Sequence, residues 1–228
     1  MIREAEIISI QTGLPREIGN VEPWTTGFLK QPMTEPLWLG STNLEGDGQA
    51  DLVHHGGTHK AVCVYSAEHY PYWRETLKLA ELPWGSFGEN FTVGQLTEKD
   101  FCIGDVWQIG AARVQVSQPR QPCWKLARRW NIKDLALQVQ ETGYTGWYFR
   151  VLVEGSVQRG MTMSLTERPC PEWTVAAANH LMHHDKKNLD AAASLAALSL
   201  LSPSWKETLG KRVARVVGPD ERKRLDGS

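Results

Sequence analysis

Cys123 is the residue of this chain best placed to do chemistry. It sits in SQPRQPCWKL, residues 117–126, where Pro119 and Pro122 stiffen the loop around Arg120. Between Asp105 and Asp134 there is no carboxylate, while Arg113, Arg120, Lys125, Arg128, Arg129 and Lys133 supply six cations. Pro122 suits the first turn of a helix running through Arg129. At a helix start among cations, the dipole and the charges together favour the thiolate. A thiolate so placed serves as a nucleophile or as a ligand for a soft metal. The alternative is a buried, inert thiol, the commonest fate of a free cysteine. Cys63, Cys102 and Cys170 lack such surroundings, and Cys63 reads as core.

Three further segments carry chemically useful residues. Residues 46–62, GDGQADLVHHGGTHKAV, combine glycines, aspartates and histidines ahead of a strand. Gly56 and Gly57 let the backbone approach a ligand closely. Lys60 enters the strand from this loop, where a cation can grip an anion. The same stretch also reads as a tight turn with surface histidines. Zinc on His54, His55, His59 and Cys63 is a weaker alternative, because the spacing fits no zinc finger and neighbouring residues of an extended chain point apart. Residues 85–90, GSFGEN, form a glycine loop that presents Asn90 either to a ligand or to its own backbone. In residues 146–150, GWYFR, Trp147 can wall a planar ligand or pack in the core, and Arg150 can face a phosphate. His180, His183 and His184, followed by Asp185, read as a solvated helix end.

These residues need a scaffold, and the pattern of the chain suggests one. Residues 1–170 are punctuated by Gly and Pro and carry short strands at 4–10, 61–65, 105–109, 113–118, 148–153 and 162–167. Ser66 is placed to cap a helix over 66–79, in which Pro71 fits poorly, and Asn131 to cap one ending at Gly143. Many short strands with few helices predict a mainly β (α+β) fold, a curved barrel with inserted helices. Residues 171–228 differ, being rich in Ala and Leu. Thr174 caps a helix towards His180, residues 189–200 form a second, and Pro203 opens a third. Each is near or below the about 12–15 residues an isolated helix needs, so they must pack on each other or on the barrel. The boundary falls at residues 169–171.

Composition narrows the class of function. With 25 Lys and Arg against 26 Asp and Glu, the net charge is −1, so no global field favours a nucleic-acid polymer or an anionic membrane. No run of about 18 apolar residues is present to span a membrane. The first residues carry charges where a signal peptide needs an apolar run, and the cysteines are scattered singly, which suits a reducing cytoplasm. Ten Trp is a high count, most of them expected in a core.

Read in order, GDGQAD, HHGGTHKAVCVYSAEHYPYW, FGENF, IGD at residues 103–105, VSQPRQPCWKL and GWYFRVL resemble the MOSC family, named for the C-terminal domain of molybdenum cofactor sulfurase. The resemblance is close over residues 40–170, and the tail is similar to the three-helix extension of the YiiM-like branch. Met161, after Gly160, stands where that pattern has an acidic residue. The resemblance implies a curved β-barrel and binding of the molybdenum cofactor (Mo-molybdopterin), a group readily lost on overexpression. It implies that Cys123 is the molybdenum ligand and the catalytic thiol. Lys60, Arg120, Lys125 and Arg150 would then neutralise the cofactor's phosphate and anionic side, and His55, Asn90 and Trp147 would shape the pocket. It further implies reduction of small N-hydroxylated compounds, among them N-hydroxylated nucleobases. The chain has no Rossmann, flavin or iron–sulfur motif, so a separate reductase would supply electrons. The alternative is a non-redox carrier of the cofactor or of sulfur, which would use the same cation-flanked thiol. Oligomeric state is not legible in the sequence.

Overall fold

The computed structural model describes residues 4–19, 23–216 and 221–227. Its strands follow from apolar alternation. Glu4–Thr12 begins by alternating exposed and buried positions and ends wholly buried, the pattern of a strand running into a core. The elements in order are β1 (Glu4–Thr12), β2 (Arg16–Ile18), β3 (Trp24–Thr26), β4 (Gln31–Met33), β5 (Leu37–Leu39) and β6 (Val62–Ser66). Then come α1 (Tyr70–Leu77), β7 (Phe91–Val93), β8 (Val106–Ile109), β9 (Ala112–Pro119), α2 (Lys125–Trp130) and α3 (Leu135–Thr142). Next are β10 (Trp147–Val153), β11 (Gly155–Val157) and β12 (Thr162–Glu167), followed by α4 (Val175–His183), α5 (Leu189–Ala197), α6 (Pro203–Val213) and α7 (Glu221–Leu225).

Seven strands close into a barrel in the order β12-β8-β9-β10-β6-β7-β1, with β1 pairing back onto β12. Only β6 and β7 in that ring run parallel. Closure removes free sheet edges, and β4 adds to β1 outside the ring. The barrel is filled by Phe101, Trp107, Trp147 and Phe149 among aliphatic residues, with the Phe101 and Trp147 ring centroids 4.1 Å apart. The same core continues into α4–α6 through Val175, Leu195, Trp205 and Leu209. The short C-terminal helices are therefore held by packing on the barrel as well as on each other. A second cluster, with Tyr65, Tyr70, Trp73, Phe87 and Leu126, packs α1, α2 and α3 against the outside of β6.

The expected fold class is present, with local differences. Ser66 caps a short 3-10 turn, Ala67–His69, and α1 starts only at Tyr70, so Pro71 falls in its first turn, where its missing N–H costs nothing. Asn131 ends α2 in the left-handed conformation instead of starting the next helix, which Asp134 opens. α2 itself begins at Lys125, two residues beyond Cys123. Thr174 and Pro203 act as expected, whereas α5 stops at Ala197. α7 is an element the pattern did not separate, and residues 217–220 of the expected helical tail lie outside the described residues. His183 is buried at 8% exposure, against the expected solvated helix end; His180 and His184 are exposed and stacked on each other. No helix among the described residues is long and apolar enough to cross a membrane.

Candidate functional site

Strand register builds one wall of the site. Tyr148 on β10 pairs with Cys63 on β6 and with Gln118 on β9, so the ends of three adjacent strands meet there. β9 ends at Pro119, and the chain turns out through Arg120, Gln121, Pro122 and Cys123 into α2. The Arg120 N–H donates to the Gly146 carbonyl at 3.0 Å, which ties this turn to the start of β10. Gly146 has φ +73, and a Cβ there would come within 2.1 Å of the Val64 carbonyl oxygen, so only glycine allows the three strands this approach.

The turn faces a cavity of about 70 Å³ lined by His55, Lys60, Asn90, Arg120, Cys123 and Lys125, together with Lys30, Cys63 and Tyr148. It opens into a groove of about 720 Å³ between the barrel and the C-terminal helices. His55, Gln121, Cys123 and Tyr148 border both spaces, so Cys123 stands at their junction.

Charge in the cavity is strongly positive. Lys60, Arg120 and Lys125 form no salt bridge among the described residues, and one terminal nitrogen of Arg120 is buried without a partner. Lys60 is held by the His54 carbonyl. Lys30 is paired with the buried carboxylate of Asp47. Burial and then Lys125 push the His55 imidazole down to about 3; Asp51 opposes them, and Lys60 and Arg120 add to the fall. His55 is therefore neutral at pH 7. Burial pushes the Cys63 thiol up to about 11 although Arg120 draws it down, so Cys63 stays protonated. Burial likewise raises Tyr148, which keeps its phenolic proton. Of the two thiols in the cavity, Cys63 is thus the one held in the protonated form by its burial.

Asn90 does not point a free amide at the cavity. Its oxygen accepts the Cys63 N–H at 3.0 Å, and its nitrogen donates to the Gln11 carbonyl at 3.2 Å and to Asp47 at 2.9 Å. It is a bracket for the wall. Two expected site residues lie elsewhere. Trp147 is wholly buried in the barrel core against Phe101. It and Tyr148 are neighbours on β10, and successive side chains of a strand face opposite ways, so the phenol takes the site and the indole the core. Arg150 points the same way as Tyr148 but two residues further along; it donates to the Leu200 carbonyl and lies beside His59. His54, His55, His59 and Cys63 do not gather, and no cluster of three metal-holding side chains occurs among the described residues. Met161 lies in the turn bonded to Ile7, away from the cavity.

The residues that sequence reading missed are Lys30 and Tyr148; Cys63, read as core, is buried and also lines the cavity. Alternation from Trp147 could have pointed to Tyr148. Lys30 lies in no motif, and only its pairing with Asp47 of GDGQAD brings it in.

Residues 51–164 match the MOSC domain family, and residues 173–215 match the YiiM-like, 3-alpha helix domain. The chain is 47% identical over 212 residues to the uncharacterized protein YflK of Bacillus subtilis, covering 92% of this chain and 96% of that one. It is 34% identical over 184 residues to a protein named reductase from Gibberella moniliformis, covering 77% of this chain but 32% of that longer one. The crystal structure of YiiM from Geobacillus stearothermophilus superposes with a TM-score of 0.79 at 39% identity, over 92% of this chain and 99% of that one. Barrel and helical extension thus agree with the sequence matches: the chain belongs to the MOSC family, which is associated with molybdenum cofactor binding, and carries the three-helix domain of its YiiM-like members.

Proposed function

We propose that this protein is a cytoplasmic molybdenum-cofactor enzyme that reduces small N-hydroxylated compounds, with electrons from a separate reductase. The observation that supports it most is the junction itself: one thiol, Cys123, where a cavity carrying Arg120, Lys60 and Lys125, without salt-bridge partners among the described residues, meets a groove large enough for a fused-ring ligand.

The residues fit the group. The cofactor is an anion, and the unpartnered Arg120 nitrogen with the two lysines offers what an anion needs. The small cavity suits an anionic group rather than a ring system, and the groove gives the remaining room. Cys123 would hold molybdenum through sulfur. Arg120, Lys60 and Lys125 would hold the anionic side. When bound, the cofactor supplies the two-electron chemistry by which N–OH, with two protons, becomes N–H and water.

The chain's own residues then have limited and separate tasks. His55 is neutral, so it orients a ligand as one ring donor and one ring acceptor, without a stored proton. Tyr148 holds its proton at the phenolic oxygen beside Arg120 and Cys123. The Lys30–Asp47–Asn90 bracket keeps the far wall rigid.

The test is purification from a host that makes the cofactor. Molybdenum and pterin are measured per chain, and an N-hydroxylated purine is then assayed with an artificial reductant. Metal near one per chain with turnover supports the reading. Metal without turnover replaces it with a carrier, and absence of both overturns it.

A further inference from the structure

α7 lies beyond the residues that either family match covers, yet it is bonded to the Cys123 loop on both sides of the thiol. The Trp124 N–H donates to the Arg224 carbonyl at 2.8 Å. The Arg224 guanidinium donates to the Pro122 carbonyl through one terminal nitrogen and to Oε1 of Gln140 on α3 at 2.6 Å through the other. The residue before Cys123 and the residue after it thus share one partner. This matters because Pro119 and Pro122 have no N–H to donate, which leaves the loop few backbone bonds of its own. The planar guanidinium fixes two bonds in one geometry. α7 is itself tied by Lys186 to Glu221 at 3.0 Å, and just beyond it Gly227 lies so near the Trp124 ring that a Cβ would come within 3.1 Å of it.

We propose that Arg224 is a positioning residue for Cys123: it clamps the loop so that the thiol stays at the junction of cavity and groove, and it thereby sets how firmly the metal is retained. The clamp stands on geometry alone, while its effect on metal retention rests on the function proposed above. The groove opposite is bordered by Arg212 and Lys223 as well, but Arg212 is engaged by the Leu181 and Met182 carbonyls at 2.8 and 2.7 Å. Of these three groove cations, Arg224 is the one seen bonded to the loop among the described residues.

The test reads the thiols of the cofactor-free chain directly. Alkylation by iodoacetamide is followed cysteine by cysteine by mass spectrometry. In Arg224→Ala, Cys123 should alkylate about tenfold faster than in the parent, as loss of a charge-assisted hydrogen bond implies. Cys102 and Cys170 should keep their rates, and the melting temperature should hold. Arg224→Lys, which keeps a donor, should recover much of the protection. Should Arg224→Ala fail to fold, Gln140→Met removes one anchor only and should speed Cys123 by about threefold. An unchanged Cys123 rate, or acceleration of all thiols together, overturns the clamp. Protein from a cofactor-producing host separates the two ideas. Faster alkylation with undiminished molybdenum overturns the link to retention. Metal kept by Cys123→Ser overturns the ligand role of Cys123 and leaves the clamp to the alkylation result.

Discussion

Asn90 and Asp47 form the bracket of the cavity wall: the Asn90 amide nitrogen donates to one carboxylate oxygen of Asp47 at 2.9 Å, and the other oxygen holds Lys30. Asp47 also accepts the Gly13 N–H at 2.8 Å. Four segments, at Gly13, Lys30, Asp47 and Asn90, are thereby joined around a buried ion pair. Removing Asp47 by Asp47→Ala leaves the Lys30 charge buried and unpaired, with an expected cost of about 3–5 kcal/mol. Asn90→Ala breaks three bonds and should cost about 2–4 kcal/mol. Urea denaturation measures both, and an Asp47→Ala protein within about 1 kcal/mol of the parent would contradict the bracket.

The two cavity thiols should separate cleanly. Cys123→Ser is expected to keep the fold and lose bound molybdenum and N-hydroxyl reduction, since a hydroxyl is a poor soft-metal ligand. Cys63→Ser should keep the metal and cost about 1–3 kcal/mol, because the new hydroxyl is buried beside core residues. Metal content and urea midpoints of the two variants check this; the reverse pattern would exchange their roles.

Arg120 and Arg150 make a second matched pair. Arg120→Met should lower cofactor retention at least tenfold, because it removes the buried donor with the free nitrogen. Arg150→Met should retain the cofactor, since Arg150 serves the Leu200 carbonyl. Trp147→Ala should cost about 3–5 kcal/mol as a core cavity, and Trp147→Phe should leave cofactor retention intact. Loss of cofactor in Arg150→Met or Trp147→Phe would return those residues to the site.

Acid should weaken the fold before most carboxylates titrate. Burial pushes both His55 and His183 down to about 3, and Arg224, Lys186, His184 and Arg212 add to the shift of His183. The unfolded chain protonates these rings near 6.5, whereas the folded chain does not. Their stabilising contribution is therefore complete above pH 6.5 and is lost as pH falls towards 3, by about 1.4 kcal/mol per pH unit for each ring. Both His183 nitrogens are buried without partners, so His183→Leu should remove one proton from the slope at little cost above pH 7. Urea midpoints at pH 7.5, 5.5 and 4.5 measure it. Equal slopes in parent and variant would mean that His183 is reached by solvent.

Much of the scaffold was determined by short-range sequence. The hairpin of β8 and β9 turns at Gly110, with φ +55. Gly143 ends α3, and Thr174 and Pro203 open α4 and α6. Each is a matter of one or two φ angles or one capping bond, complete within a turn of chain. The basic, carboxylate-free segment around Cys123 was equally visible, because composition does not depend on the fold.

Barrel closure and long-range docking decided the rest. Trp147 and Tyr148 could each have faced the core; alternation says only that they face opposite ways, and the pairing of β10 between β6 and β9 sets which one is inside. Asn131 lies between two helices, and its left-handed backbone made it the end of the first. Lys30 reaches the cavity because Asp47 is brought to it across 17 residues of chain, and Arg224 reaches Pro122 across 102. His183 looked like a polar helix end and is instead buried, with Arg224 and Arg212 near enough to oppose its protonation. Helix periods and caps carry no information about such partners: the contacts form only when the closed barrel gives the C-terminal helices an apolar surface to pack on.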